Sequence, residues 1–124
     1  MSTKTVLSIG QCRPDSAAIA HYLKSNFSVS ILTADLADQA MKVLKENAVH
    51  LVLINRVLDA DGSDGMAILN AIRQNPDYAS IPLMLVTNYP DWQQKAIAAG
   101  AIMGFGKAEL NRPETRTRLA AVLS

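Results

Sequence analysis

With a single cysteine, Cys12, the chain cannot form an internal disulfide, which suits a reducing compartment. Cys12 is not placed for catalysis either. The thiol phosphatase loop sets an Arg six positions after its Cys, where this chain has Ala18, and no motif ties Cys12 to His21 or His50. It reads as a buried or half-buried structural thiol. Aromatic residues make up only 5% of the chain, a poor supply for stacking on a flavin ring. Acidic and basic residues nearly cancel, leaving a formal net charge of +1, so the clustered positive charge that general nucleic-acid binding requires is lacking. No apolar run approaches the roughly 20 residues needed to cross a bilayer. Met1 to Thr5 lacks the charged and apolar stretches of a signal peptide. The expectation is a cytoplasmic protein that uses neither nucleic acid nor membrane.

What the chain does have is apolar content, 49% of its 124 residues, enough for one ordinary core and for a single domain over 1–124. Short β-rich runs alternate with longer helical patterns, and Gly, Pro, Asn or Asp marks the joins. Five runs are short enough for strands: Thr5–Ile9, Ser28–Thr33, Leu51–Ile54, Leu83–Thr87 and Ala101–Phe105. The third is apolar on both faces, as a central strand covered by helices on two sides must be. Between the runs, Leu36, Ala40, Val43 and Leu44 fall at one-stripe helical spacing. Ile19, Tyr22 and Leu23 mark a helix before it; Ile68, Leu69 and Ile72, then Trp92, Ala96 and Ala99, then Leu119, Val122 and Leu123 mark three after it. Pro14 and Pro113 suit helix starts. Right-handed βα repeats of this number predict an α/β protein of flavodoxin-like kind: a doubly wound five-stranded parallel sheet, order 2-1-3-4-5, in a three-layer α/β/α sandwich.

In such folds ligands sit at the carboxyl ends of the strands. The residues there are Gly10, Gln11 and Cys12 after the first strand, Asn55 after the third, Thr87 and Asn88 at the fourth, and Gly106 and Lys107 after the fifth. At these positions the chain resembles the receiver domain of bacterial response regulators, with matches spread over nearly its whole length. The family has an acidic pair ending the first strand, a phosphorylated Asp ending the third, a Ser or Thr ending the fourth, and a Lys after the fifth. Thr87 closes Leu83, Met84, Leu85 and Val86, and Lys107 stands where the family's pattern puts its Lys, counted from Gly100 and Ala101. The acidic pair, by contrast, aligns with Gly10 and Gln11, and the phosphoacceptor with Asn55. All three carboxylates are replaced, so the resemblance is to a degenerate member, a pseudo-receiver.

Receiver phosphorylation needs a carboxylate nucleophile and a divalent cation to offset the phosphoryl charge. The neutral amide of Asn55 is a poor nucleophile. Magnesium, a hard ion, finds no carboxylate among Gly10, Gln11 and Asn55. No metal site, no cofactor and no enzymatic activity are expected. Deamidation of Asn55 carries little weight, since Arg56 rather than Gly follows it. The family's Lys reaches the phosphorylated carboxylate. Here Lys107 is left to bond the Asn55 side-chain oxygen or a loop carboxylate, or else to meet an anionic ligand or partner.

The loop from Val57 to Gly65 runs about two residues longer than the family's usual turn and carries Asp59, Asp61 and Asp64. It is not a calcium loop, because counting from Asp59 puts Asp64 where Gly is needed and Asn70 where Glu is needed. Asp61 and Gly62 suit a turn, Asp64 a helix start, and Asp59 is either solvated or paired with Lys107. The stretch from Gly104 to Lys107 is no phosphate loop, since Ala101 and Ala108 hold the positions that require Gly and Ser or Thr. The stretch from Ile9 to Ser16 lacks the hydroxyl-rich loop of a flavin site.

Active receivers place a switching aromatic three residues before the Lys, a position held here by Gly104, with Phe105 shifted by one. Phe105 cannot take that role unless a bulge at Gly104 re-aims it. Ala108 replaces the family's Pro after the Lys, which removes the reason to expect a cis peptide there. The remaining candidate is a surface: the fourth helix, fifth strand and fifth helix, through which receivers dimerise or bind partners. Its candidate residues are Trp92, which either anchors a partner or packs on its own domain, with Phe105, Arg112 and Arg116; Arg118 extends a basic edge that is otherwise a solvated face. Two functions stay open. One is an atypical receiver in two-component phosphorelay signalling that acts by phosphorylation-independent protein contact, including contact with a second copy. The other is a receiver-like fold recruited to bind a small ligand or to catalyse, with Lys107, Thr87 and Gln11 lining a pocket.

Overall fold

The computed structural model describes residues 3–124. Five strands, β1 (Lys4–Ile9), β2 (Val29–Ala34), β3 (Leu51–Asn55), β4 (Leu83–Val86) and β5 (Ile102–Phe105), form one parallel sheet in the order β2-β1-β3-β4-β5. Five helices, α1 (Arg13–Asn26), α2 (Ala37–Glu46), α3 (Gly65–Gln74), α4 (Pro90–Ala98) and α5 (Pro113–Leu123), alternate with them, and a short 3-10 turn at Lys107–Glu109 follows β5. The expected doubly wound sandwich is present, with strand limits shifted by a residue or less.

The alternation of strand side chains sorts the core into two layers. Leu7, Ile9, Val52, Ile54, Leu83 and Leu85 face α2, α3 and α4, where they meet Ala40, Leu44, Ile68, Leu69, Ile72 and Ala96. Val6, Leu51, Leu53, Met84 and Val86 face α1 and α5, where they meet Ile19, Leu23, Leu119 and Leu123. Fully burying each Val, Leu, Ile or Met side chain among them is worth about 1.5–3 kcal/mol, so the two layers together outweigh any surface contact. Local chemistry sets the helix starts. Pro14, Pro90 and Pro113 lie in the first turns of α1, α4 and α5, where the lost N–H would have had no helical partner. Asp64 caps α3 by accepting the Met66 N–H on Oδ1 at 2.9 Å.

The long β3–α3 loop folds back on itself. Val57 bridges Asp64 in antiparallel fashion, the Leu58 N–H donates to Ser63 O and the Gly62 N–H to Leu58 O. Gly62 takes a φ of 72°, and Asp61 Oδ1 accepts the Ser63 N–H at 2.9 Å, the expected turn. At its end the chain passes so close to β3 that a Cβ on Gly65 would sit 2.0 Å from Asn55 O, while the Gly65 N–H donates to Arg56 O at 2.7 Å. Only glycine fits there. Gly65→Ala is therefore expected to lower unfolding free energy by about 1–3 kcal/mol through overpacking, measured by urea denaturation, whereas an unchanged midpoint would show that the loop end yields freely.

Candidate functional site

The carboxyl ends of β1 and β3 are joined by neutral groups. The Asn55 side-chain Nδ2 donates to Gly10 O at 3.0 Å, and the Asp59 N–H donates to the same carbonyl at 3.0 Å. Gly10 has a φ of 77°, and a Cβ there would fall 2.6 Å from Leu58 Cγ. Leu58 is almost fully buried. The looped-back segment thus lays an apolar side chain over Gly10 and a backbone donor onto it. Gln11 is buried beside it, and neither polar atom of its amide has a hydrogen-bond partner among the described residues. These residues do not fit a magnesium ion: the three positions offer no carboxylate, and Leu58 covers the face of Gly10. Among the described residues no group of three His, Cys, Asp or Glu side chains converges anywhere.

Lys107 binds neither of the partners expected for it. Its Nζ donates to Asp15 Oδ2 at 2.7 Å, and the Cys12 thiol donates to that same oxygen at 2.9 Å. Asp15 belongs to the first turn of α1 and Cys12 is its N-cap residue, so the fifth strand's Lys is tethered to the first helix. Asn55 spends its amide on Gly10, and Asp59 is exposed and solvated, which leaves α1 to supply the anion. The sequence signal that was available is the Cys12-to-Asp15 spacing at a helix start. The Cys12 hydrogen bond, then that from Lys107, holds the Asp15 carboxyl below the usual carboxylate range. Thr87 is buried at the end of β4, and its Oγ1 accepts the Tyr89 N–H at 3.3 Å.

Around Thr87 and Lys107 lies an open groove of about 190 Å³ lined by Asn55, Arg56, Val57, Val86, Thr87, Asn88, Tyr89 and Lys107. Gln11 does not line it. A second depression of about 200 Å³ lies between α4 and β5, over Thr87, Pro90, Met103, Gly104 and Arg118.

β5 contains an irregularity just before Phe105. Met84 pairs with Ile102 but Val86 pairs with Phe105, so β5 spends one more residue than β4 between these pairs. This is a β-bulge at Met103 and Gly104. A Cβ on Gly104 would lie 2.3 Å from Leu85 O, and the ladder is closed by a side chain instead. Gln93 of α4, buried, donates its Nε2 to Leu85 O at 2.9 Å and to Thr87 O at 3.3 Å, and its Oε1 accepts the Gly104 N–H at 3.0 Å. From the other side Arg118 Nη1 donates to Gly104 O at 2.9 Å. The bulge does re-aim Phe105, but inward: the ring is 0% exposed, among Met84, Val86 and Leu119. Phe105 is therefore removed from the candidate interface, because one extra residue in β5 turns it onto the α1 and α5 face.

The other surface candidates keep their exposure to different degrees. Trp92 is half-buried against the core, with the Arg56 guanidinium 3.8 Å and the Lys95 ammonium 4.2 Å from its ring centroid. Arg112 is exposed and pairs loosely with Glu109 at 3.6 Å. Arg116 is exposed, lies over the Phe27 ring and donates to Asn26 Oδ1 at 3.3 Å.

No family model matches the sequence, and no curated protein matches it. Solved structures do. The signal receiver domain of a DNA-binding response regulator from Colwellia psychrerythraea is similar with a TM-score of 0.80 at 22% identity, over 95% of this chain and 96% of that one. The chain carries the receiver fold. A putative response regulator from Chloroflexus aurantiacus is similar with a TM-score of 0.78 at 16% identity over 98% of both chains. The chemotaxis response regulator CheY4 of Vibrio cholerae gives 0.76 at 19% over 98% of this chain and all of that one. At these identities the likeness is one of fold. No helix among the described residues is long and apolar enough to cross a membrane.

Two expectations follow from the site's geometry. Because Asp15 titrates below its unfolded value of about 3.9, its contacts stabilise the receiver fold above that pH, and the contribution is lost as pH falls through the folded-state value. Cys12→Ala and Lys107→Met should each raise the Asp15 midpoint in a carbon-detected NMR titration, the Cys12 change by more; midpoints unmoved in both variants would contradict the shared-oxygen arrangement. Gln93→Leu should cost about 1–3 kcal/mol, since it strands the Gly104 N–H at the bulge, and should accelerate hydrogen exchange at Gly104; protection equal to the native chain's would mean that β4 supplies the acceptor.

Proposed function

We propose that this domain is an atypical receiver of two-component signalling, one that takes no phosphoryl group and acts by contact with a protein partner. The observation that carries the reading is the hydrogen bond from Asn55 to the Gly10 carbonyl beneath Leu58. In a phosphoryl-accepting receiver the third strand ends in a carboxylate nucleophile, and like charges at the end of the first strand hold a cation that offsets the transferred charge. Here an amide donor satisfies the same backbone directly, and no charge is left for a cation to balance.

Output in this reading does not depend on a switch. Thr87 and Gly104 are tied together through Gln93, and Phe105, the ring carried by β5, is a core residue. The domain is a binding module rather than an enzyme and works in the cytoplasm. Its partner surface is formed by α4, β5 and α5, which also serves for self-association, with Arg112 and Arg116 on its exposed rim. Recruitment to a small ligand or to catalysis is the second reading. It is disfavoured because the depressions at the strand ends are open and about 190 and 200 Å³, below the roughly 300–1,000 Å³ usual for ligand pockets.

Incubation with acetyl phosphate and magnesium, followed by intact mass, tests the reading. The native chain should gain no phosphoryl mass, and Asn55→Asp should gain none either, because Gly10 and Gln11 still provide no cation site. A stable adduct on the native chain would overturn the proposal and direct attention to Asp59 or Asp61 as the acceptor.

A further inference from the structure

One surface combines charge, exposed apolar side chains and a groove. Arg56 follows β3 directly, and its guanidinium lies 3.8 Å from the centroid of Trp92 while Lys95, one turn along α4, approaches the same ring at 4.2 Å. Neither cation meets a carboxylate among the described residues, where the ion pairs are Lys107 with Asp15 and Arg112 with Glu109. Arg56 Nε, moreover, is buried without a hydrogen-bond acceptor among them. Two cations stacked on one indole, with their charge unspent, are an arrangement suited to a desolvated anionic group.

Arg56 also lines the open groove of about 190 Å³ whose floor includes Asn55, Val86 and Thr87. On that groove's lining stand two of the large apolar side chains the protein exposes, Val57 at 44% and Tyr89 at 67%. Among the described residues nothing covers them fully. Exposed aromatic and apolar groups beside Arg and Trp make up the composition of interface hot spots. The groove is open, about 190 Å³ and lined by both polar and apolar groups, so it suits a side chain of an extended segment better than a packed helix. The unpaired cations at its edge decide the sign of the partner.

We propose that the groove between the β3–α3 loop and α4 binds an acidic peptide segment of a partner protein. Carboxylates of the segment meet Arg56 and Lys95 beside Trp92, and one apolar side chain lies between Val57 and Tyr89. This rests on the reading of the domain as a phosphorylation-independent binding module and supplies the chemistry of its partner.

Trp92 is the protein's only tryptophan, so its fluorescence reports this surface alone. The probe is a synthetic peptide of alternating Asp, Glu and Leu without aromatic residues, titrated into native protein whose intact mass shows no phosphoryl group. A saturable change in Trp92 emission is expected, weakening as salt is raised and absent with the Lys-for-acid peptide. Lys95→Gln, an exposed change that leaves the core untouched, should weaken binding, and Arg56→Gln with Lys95→Gln should weaken it at least about tenfold. Nitrogen–proton correlation spectra of the variants establish that they are folded. No saturable change, an equal change with the basic peptide or with inorganic phosphate alone, or an affinity unmoved by Lys95→Gln would each overturn the groove proposal. The acetyl phosphate result is independent: a chain that takes no phosphate and binds no acidic peptide keeps the binding-module reading and loses only this surface.

Discussion

The Gly10 carbonyl is the point on which the carboxyl edge of the sheet depends. It ends β1 in a left-handed conformation, accepts the Asn55 amide from β3 and the Asp59 N–H from the following loop, and lies under Leu58. Each hydrogen bond of this kind contributes about 0.5–1.5 kcal/mol net, a modest amount, but all are between neutral groups. A cluster of carboxylates at the same place would repel itself and need a cation or protons to persist. Neutral groups carry no such requirement, and the loop closes over the strand ends with an apolar side chain. Gly65 completes the closure, since any side chain there would strike the Asn55 carbonyl.

The far edge of the sheet is settled by a different device. β5 carries one residue too many for its partner, and Gln93 fills the resulting gap with an amide that donates to β4 and accepts from β5. Arg118 takes the remaining Gly104 carbonyl, which also keeps that part of the edge strand from pairing with another chain. Because Thr87 O shares the Gln93 donor, the end of β4 and the start of α4 are held by the same side chain. The price of replacing ladder bonds by a glutamine is a dependence on one buried polar residue. At both ends of the sheet a side-chain amide, from Asn55 or from Gln93, satisfies backbone groups at the strand ends.

Much of this was legible in the sequence, and the rest was not for identifiable reasons. The doubly apolar run Leu51–Ile54 marked the central strand, and the helix stripes marked the covering layers, because periodicity is a local property. Thr87, Asn55 and Lys107 were placed at the site because strand ends cluster by topology. Gly104 marks where a bulge can form, but whether it forms and which way it turns Phe105 depends on which residue of β5 faces which residue of β4, so Phe105 stands among the interface candidates although it is buried. Leu58 and Gln93 left faint signals: an apolar residue in a polar loop, and a Gln three residues before Ala96 on the buried face of α4. The pairing of Lys107 with Asp15 is not legible in the sequence, because it depends on how the first turn of α1 packs beside the end of β5.

The central claim is that neutral contacts have replaced the phosphoryl chemistry at the strand ends. Amide chemical shifts of the native chain, recorded with and without magnesium and beryllofluoride, a mimic of an acyl phosphate, test it most directly. The shifts of Gly10, Asn55, Thr87, Gly104 and Lys107 should stay where they are. Saturable movement spreading from Asn55 through Thr87 to Gly104 would contradict the claim, because it would mean that the site still binds the phosphoryl group and still transmits its arrival.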